Sequence, residues 1–389
     1  GQDWIEEAET DTADRLESDL FREDEGSEPQ SGWTNTADGA PFGEKDLSAQ
    51  SDTAFSYGYS QLSGDEEQLY REILNSLISY QEETELSVKD PEMVERVFRY
   101  VMADHPEIFY ADGYEVTTYR LGTELRRITF TGTWTLESDE VLSRRAQLEA
   151  AAALWLEGLP DGTDDFEKAK YIYDALILRT EYEQGSADSQ TICSVLLNQR
   201  SVCQGYAKTF QYLCQLAGIP AMLVTGDVNG EGHAWNIVFL DGDWYYIDPT
   251  WGDASYQREE GEETPALTET VNYDYFCVTT QEIERTHSMD DNQLLPVCNA
   301  VQDQYYRHEG LYLQSADKEK IDEIFARAAQ KGAPMVCFQC ADDTVYQEVY
   351  RLLIEEQGIF AYLPESETTA AYLDSDRERT FYFWFTEVS

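Results

Sequence analysis

The sequence predicts a mixed α+β fold built from more than one domain. A chain of 389 residues is long enough for two or three domains with a substantial core. Apolar residues recur with helical periodicity in some segments and form short, strand-length runs in others. Between two such runs lies Asp241-Gly242, a pair typical of a tight β-hairpin and therefore of antiparallel strands.

A helix is predicted to begin near Ser201. Gln204 follows three residues later, which is the spacing of a capping box, and Cys203 would then lie in the first helical turn. Gly218 and Pro220 are expected to end the helix. Apolar residues recur between these limits at the spacing of one buried helical face: Tyr206, Phe210, Leu213, Cys214 and Ala217.

The hairpin that follows predicts which side chains meet. With Asp241 and Gly242 as the two central turn residues, counting outward pairs Trp235 with Asp248. His233 then shares a face with Asp248, at a diagonal Cβ separation of roughly 7 Å or less. A three-residue turn would instead place the two side chains on opposite faces, so this prediction depends on the turn type.

Cys203, His233 and Asp248 together are predicted to form a nucleophilic triad. A thiolate is a strong nucleophile, an imidazole exchanges a proton near neutral pH, and a carboxylate holds that imidazole in one orientation. A thiol in the first turn of a helix also lies beside free backbone N–H groups, which can stabilise an oxyanion. We therefore expect a catalytic cysteine at position 203.

Four further residues are candidates for lining this site. Gln190 or Gln204 could donate to an oxyanion, although Gln204 is equally suited to the predicted capping box. Trp235 and Trp251 flank the histidine and the aspartate, where they would exclude water or fill the core.

The seven cysteines predict no metal site. Their odd number leaves at least one unpaired thiol, which suits a thiol enzyme. Cys193 and Cys214 are expected to pack in the core, and Cys277 could pair with Cys298. Cys337-Phe-Gln-Cys340 lies in an apolar, strand-like run that would direct its two thiols to opposite faces. We predict no metal and no cofactor.

Three short strings resemble the motifs of the bacterial transglutaminase-like superfamily, thiol enzymes with a papain-like core. The resemblance implies a cysteine-bearing helix packed on an antiparallel sheet that carries the histidine and the aspartate. It implies Cys203 as nucleophile, His233 as acid and base, and Asp248 as the residue that orients it. His287 lies in a Thr-His-Ser segment that also resembles the family, but it has no predicted partner. The three strings are Cys203-Gln-Gly-Tyr-Ala, Gly232-His-Ala-Trp-Asn and Asp248-Pro-Thr-Trp.

The charge of the chain excludes some partners. With 77 acidic and 27 basic residues, the formal net charge is −50. Nucleic acid and anionic membrane surfaces are therefore not expected as partners. No apolar run is long enough to predict a transmembrane segment. We expect a protein or peptide substrate, including cell-wall peptide, and an extracellular or cell-surface location with a signal or anchor removed before Gly1.

The chain is predicted to fall into four segments. The carboxy-terminal segment alternates strands and helices and is expected to end in strands near Phe360 and Phe381. The segments are an acidic disordered spacer (1–50), an amino-terminal α+β domain (51–160), a transglutaminase-like catalytic core (161–310) and a carboxy-terminal α/β domain (311–389).

The sequence leaves three functions open. The first is a cysteine protease or amidase that acts through a thioester, with water as the second nucleophile. The second is a protein cross-linking transglutaminase, in which a lysine amine takes the place of water. The third is a binding module that keeps the fold without catalysis.

Overall fold

The computed structural model describes residues 7–13, 56–159, 162–253, 271–291, 293–333, 335–363 and 371–384. These residues form three mainly antiparallel sheets of four, five and four strands, together with a two-stranded parallel ladder, and helices pack against them. The predicted mixed α+β class is confirmed.

The amino-terminal sheet has the strand order β1-β3-β4-β2. Helix α3 begins at Pro91, where the Asp90 side chain accepts hydrogen bonds from the first backbone amides of the helix. The elements are β1 (Glu7–Ala13), α1 (Tyr57–Ser60), α2 (Asp65–Ser79), β2 (Thr84–Glu85), α3 (Pro91–Asp104), β3 (Ala111–Leu121), β4 (Glu124–Trp134) and α4 (Ser138–Leu156).

Part of the predicted spacer is a strand. Glu7–Ala13 pairs antiparallel with β3, from Glu7 opposite Arg120 to Ala13 opposite Tyr114. The disordered-spacer prediction is therefore wrong for these seven residues. An edge of β3 supplies the hydrogen-bonding partner that local composition could not reveal. The rest of residues 1–50 lies outside the described part of the chain.

The central sheet has the strand order β10-β9-β8-β7-β11, and all of its pairs are antiparallel. Helix α7 packs against β7 and β8. The elements are α5 (Asp165–Arg179), β5 (Glu181–Tyr182), α6 (Ile192–Asn198), β6 (Arg200–Ser201), α7 (Cys203–Leu216), β7 (Ala221–Val228), β8 (Glu231–Leu240), β9 (Asp243–Ile247), β10 (Phe276–Val278), α8 (Thr280–Ile283), β11 (His287–Met289) and α9 (Tyr305–His308).

The predicted two-residue hairpin joins β8 to β9. Leu240 pairs with Asp243, which leaves Asp241 and Gly242 as the central turn residues. Both have positive φ, +47° and +105°, as a turn matched to the twist of the strands requires. The register continues to Asn236 opposite Ile247, so the predicted alignment of the two strands is confirmed.

The predicted capping box at Ser201 is not formed. Helix α7 starts at Cys203 after Val202, and no side chain caps it. The Ser201 hydroxyl is instead 2.7 Å from that of Ser194 and donates to the backbone carbonyl of Ser189 at 3.0 Å. Ser201 lies in β6, where these tertiary partners replace the local one.

The carboxy-terminal sheet has the strand order β12-β13-β15-β14. The strand expected near Phe360 is wrong: Gly358–Tyr362 is a 3₁₀ turn, and the Phe360 side chain is 46% exposed. The strand at Phe381 is confirmed. The elements are β12 (Tyr312–Leu313), α10 (Lys318–Lys331), β13 (Met335–Cys340), α11 (Asp343–Tyr350), a π-helical turn (Arg351–Glu355), the 3₁₀ turn, β14 (Ala371–Ser375) and β15 (Thr380–Trp384).

The cysteines are all buried and all free. The pairing considered for Cys277 and Cys298 is therefore not formed. Cys337 and Cys340 belong to two different hydrophobic clusters, as expected for thiols on opposite faces of a strand. These two thiols are part of the core.

Buried hydrogen bonds join the central sheet to the carboxy-terminal sheet. The Asp274 carboxylate, in the segment before β10, accepts from the hydroxyls of Tyr306 and Tyr382 at 2.6 and 2.9 Å. Thr380 on β15 donates to the other carboxylate oxygen at 3.0 Å. Burial raises the pKa of Asp274 to about 6, although these hydrogen bonds oppose it. The division into domains remains a prediction, because one hydrophobic cluster runs through all three sheets.

Candidate active site

The Asp248 carboxylate, at the end of β9, is the centre of the site. Its Oδ2 atom is 2.8 Å from His233 Nε2 and 3.0 Å from His287 Nε2. Its Oδ1 atom accepts from the backbone N–H groups of Thr250 at 2.9 Å and Trp251 at 3.2 Å. Both oxygens of this fully buried carboxylate are therefore satisfied by two donors each.

The surroundings of His233 and Asp248 favour the charged form of each. Burial alone would lower the pKa of His233, but the charge of Asp248, its hydrogen bond and the Cys203 thiol outweigh burial and raise this pKa to about 10. For Asp248, burial acts to raise the pKa, but the two imidazoles hold it well below the usual range of a carboxyl group. Both shifts favour an imidazolium beside a carboxylate.

Cys203 is the first residue of α7, and 2% of its surface is exposed. Its thiol is near enough to His233 to raise the pKa of that imidazole. Because His233 Nε2 is directed at Asp248, Nδ1 is the ring nitrogen left to face the thiol. The structure thus joins His233 to Asp248 by a hydrogen bond, and the catalytic triad with Cys203 remains a prediction.

The helix start beside the thiol is tightly packed. A Cβ atom added at Gly205 would lie 1.9 Å from the Ser201 hydroxyl oxygen and 2.7 Å from the Ser189 carbonyl oxygen. Only glycine permits this approach of α7 to the loop before α6. The N-cap residue of α7, Val202, makes no side-chain cap, and uncapped first-turn N–H groups of a helix can donate to an oxyanion.

His287 is the site residue that sequence reasoning left without a partner. It is buried, and its Nδ1 atom is 2.7 Å from the Thr286 hydroxyl. Its strand, β11, pairs with β7, and His287 lies opposite Val228. Gly226 permits this pairing, since a Cβ there would lie 2.0 Å from the Ser288 carbonyl oxygen. The pairing joins segments about sixty residues apart, so no local pattern could reveal it.

Aromatic rings enclose the two imidazoles. The Trp235 ring stacks on His233 at 5.9 Å and meets His287 edge-on at 4.8 Å. The Trp251 ring is 5.2 Å from that of His287 and 4.8 Å from that of Tyr275. Excluding water in this way strengthens the charged hydrogen bonds of the site. Both tryptophans thus contact the histidines and fill the core at the same time.

The two candidate glutamines line a cleft beside the start of α7. Gln190 and Gln204 border the same cleft, whose volume is about 350 Å³. The Gln190 Oε1 atom is buried and has no hydrogen-bond partner among the described residues. Their predicted role as oxyanion donors remains a prediction.

The same residues are also the potential metal ligands of the site. Among the described residues, His233, Asp248 and His287 form a group whose ligand atoms all lie within 4.8 Å of one another. Two imidazoles and a carboxylate are a donor set that suits zinc. The prediction that the site uses no metal therefore remains to be tested.

Comparisons with known proteins agree on the family of this core. The model of the Transglutaminase-like superfamily matches residues 156–249, which include all three predicted triad residues. A cysteine-bearing helix packed on an antiparallel sheet that carries a histidine and an aspartate defines the class of fold. Residues 156–249 thus match the transglutaminase-like superfamily, whose fold class this core shares.

The similarity to individual proteins is limited in extent. Human kyphoscoliosis peptidase is 33% identical over 111 residues, which are 24% of this chain and 17% of that protein. The chain thus spans less than a fifth of the length of this relative. A crystal structure of a TGase is 14% identical, covers 40% of this chain and 48% of its own, and has a TM-score of 0.27. The periplasmic domain of TgpA from Pseudomonas aeruginosa is 14% identical, covers 38% of this chain and 76% of its own, and has a TM-score of 0.23.

Among the helices of the described ranges, none is both long enough and apolar enough to cross a membrane.

Proposed function

We propose that the protein is a thiol-dependent acyl-transfer enzyme that hydrolyses peptide or glutamine carboxamide bonds. The observation that carries this proposal is the charged pair of His233 and Asp248 beside the Cys203 thiol. An imidazolium next to a thiol favours the thiolate, which is the reactive nucleophile. The match of residues 156–249 to a superfamily in which thiol-dependent enzymes are typical supports the same interpretation.

The reaction has two steps. The Cys203 thiolate attacks the carbonyl carbon, and the first-turn amides of α7 stabilise the oxyanion that forms. His233 gives its proton to the departing amine or ammonia as the carbon–nitrogen bond breaks, which leaves a thioester on Cys203. His233, now neutral, takes a proton from water, and the resulting hydroxide equivalent releases the acid and restores the thiolate–imidazolium pair.

Asp248 and His287 act on the chemistry through His233. The carboxylate holds the His233 ring in one orientation and stabilises its charged form. His287 and the backbone amides of Thr250 and Trp251 fix the carboxylate in turn. Asp248 and His287 are therefore positioning residues in this mechanism.

The experiment that tests this proposal is an incubation of the protein with a mixture of unstructured peptides in the presence of a fluorescent primary amine. Mass spectrometry then detects new peptide termini, deamidated glutamine or incorporated amine. We expect cleavage or deamidation with the wild-type protein and none with Cys203→Ala. Amine incorporation as the main product would identify a cross-linking enzyme instead.

The same incubation distinguishes a protein without catalysis. If the wild-type protein gives no product and its Cys203 is alkylated no faster than a free cysteine, the proposal is wrong. The chain would then be a binding module with a transglutaminase-like fold.

The surroundings of the protein form part of the proposal. We propose a protein or peptide substrate, with cell-wall peptide as one candidate, and an extracellular or cell-surface location. The support is the acidic composition, which keeps a chain soluble and does not suit nucleic acid. Fractionation of the native cells tests the location, and recovery of the protein in the cytoplasmic fraction would refute it.

A further inference from the structure

The cleft beside α7 has one wall that comes from outside the transglutaminase-like core. We call it the interdomain cleft. On one side lie Gln204 from α7 and Gln190 from the loop before α6. Four apolar residues of the lining come from the amino-terminal region: Met102, Ile108, Phe109 and Leu136. These four residues precede the region that matches the family model.

The two walls are fixed relative to each other. Gln211 and Gln215 project from α7, the helix that begins with Cys203. The side-chain amide of Gln211 donates to the Ala103 carbonyl at 2.7 Å, and that of Gln215 donates to the Asp104 carbonyl at 3.0 Å. Gln211 is fully buried, so its hydrogen bond is costly to break. The interdomain cleft is therefore formed before any ligand arrives.

Five charged residues line this cleft: Arg99, Asp112, Asp188, Lys208 and Asp290. Asp188 is paired with Arg144 at 2.9 Å, and Arg99 is paired with Glu95 at 2.9 Å. Asp290 accepts a hydrogen bond from the Thr225 hydroxyl. The cleft also offers a ligand apolar side chains and side-chain amides, and its volume of about 350 Å³ lies in the range of peptide and small-molecule pockets.

We propose that the interdomain cleft binds the side chain of a bulky apolar residue close to the reacting carbonyl of a peptide substrate. This inference rests on the proposed function. The cleft lies next to the reacting carbonyl only if Cys203, the residue before Gln204, is the nucleophile. The amino-terminal sheet and helices then determine which peptides the thiol site accepts. Leucine or phenylalanine in the substrate gains the burial of its side chain, whereas alanine, aspartate and lysine do not.

The test uses fluorescein-labelled glycine–serine octapeptides with leucine, phenylalanine, alanine, aspartate or lysine at one position. Binding is measured by anisotropy on full-length Cys203→Ala, and turnover is measured on the wild-type protein. We expect the leucine and phenylalanine peptides to bind about 10- to 100-fold more tightly than the alanine peptide, with a similar ratio in kcat/KM.

Two variants fill the cleft. Leu136→Trp places a larger apolar side chain in the cleft. Thr135→Trp also places an indole there, and because Thr135 is exposed, this substitution leaves the core unchanged. The matched control is Leu142→Trp on α4, at a leucine that is 47% exposed and outside the cleft. We expect at least tenfold weaker binding of the leucine peptide with each cleft variant and no change with the control.

The outcomes separate this inference from the proposed function. Equal binding of all five peptides, or binding that neither cleft variant weakens, would overturn the inference even if the wild-type protein cleaves peptides. Selective binding to Cys203→Ala without turnover by the wild-type protein would support the cleft and overturn the proposed hydrolase. Leu142→Trp lies outside the cleft and should keep the wild-type rate of Cys203 alkylation.

Discussion

Replacing His287 tests whether the second imidazole positions the Asp248 carboxylate. His287→Ala removes a buried donor 3.0 Å from the Oδ2 atom that also accepts from His233. A hydrogen bond to a charged group contributes about 1.5–3 kcal/mol to stability. Suppose that the loss of this hydrogen bond destabilises the charged His233–Asp248 pair by about 1.4 kcal/mol. The pKa that governs formation of the His233 imidazolium then shifts by about one unit.

The assay is the pH dependence of Cys203 alkylation by iodoacetamide, which needs no knowledge of the substrate. In His287→Ala, we expect the low-pH limb of the rate to move up by about one pH unit, so that alkylation is about tenfold slower at pH values below the point where the wild-type rate begins to fall. His287→Gln can still present an N–H group to the carboxylate and should recover most of the rate.

The matched control is His105, a buried histidine that contacts a carboxylate outside the candidate active site. His105 Nδ1 is 2.7 Å from Glu107 Oε1 in the amino-terminal region. His105→Ala should lower stability and leave the alkylation profile unchanged. The positioning role of His287 would be refuted if His287→Ala kept the wild-type profile, or if His105→Ala shifted it equally.

Three further predictions concern the pH dependence, packing and metal content of the site. The pKa of His233, about 10 when folded and about 6.5 when unfolded, gives stability that is complete below pH 6.5 and is lost as the pH rises through 10. Urea melts should show the unfolding free energy falling by up to about 1.4 kcal/mol per pH unit from pH 7 to 10. If the unfolding free energy of His233→Gln falls equally steeply with pH, His233 is not the source of this pH dependence. Gly205→Ala should lower the unfolding free energy by about 3 kcal/mol, because its new methyl group overlaps the Ser201 hydroxyl. The control is Lys208→Ala on the same helix, and equal melting temperatures of the two variants would contradict the tight packing at Gly205. Dialysis against a chelator should leave the alkylation rate unchanged, whereas a loss of rate that zinc restores would assign the His233, Asp248 and His287 cluster to a metal.

The features predicted correctly from the sequence are those governed by local chemistry. The Asp241-Gly242 turn has two residues because both adopt positive φ, and this fixes the register that brings His233 to Asp248. Cys203 lies at the start of a helix as predicted, although the capping box from which this position was predicted is not formed.

The features that were missed depend on partners distant in sequence. His287 reaches Asp248 through the pairing of β11 with β7, and Ser201 bonds to Ser194 and Ser189 instead of capping α7. Glu7–Ala13 is a strand because β3 offers it an edge. The aromatic residues near Phe360 favoured a strand in the sequence analysis. In the structure, helical turns continue to Glu355 and a 3₁₀ turn follows, so no strand forms there.

The most direct measurement of the central claim compares Cys203 alkylation between pH 6 and pH 9 in the wild-type protein and in His233→Gln. A thiol that shares its proton with His233 should react at nearly the same rate, within about threefold, across this range in the wild-type protein. An isolated thiol with a pKa of about 8.5 slows at least 100-fold between pH 9 and pH 6, and His233→Gln should behave in this way. A wild-type profile as steep as that of His233→Gln would contradict the account of the site.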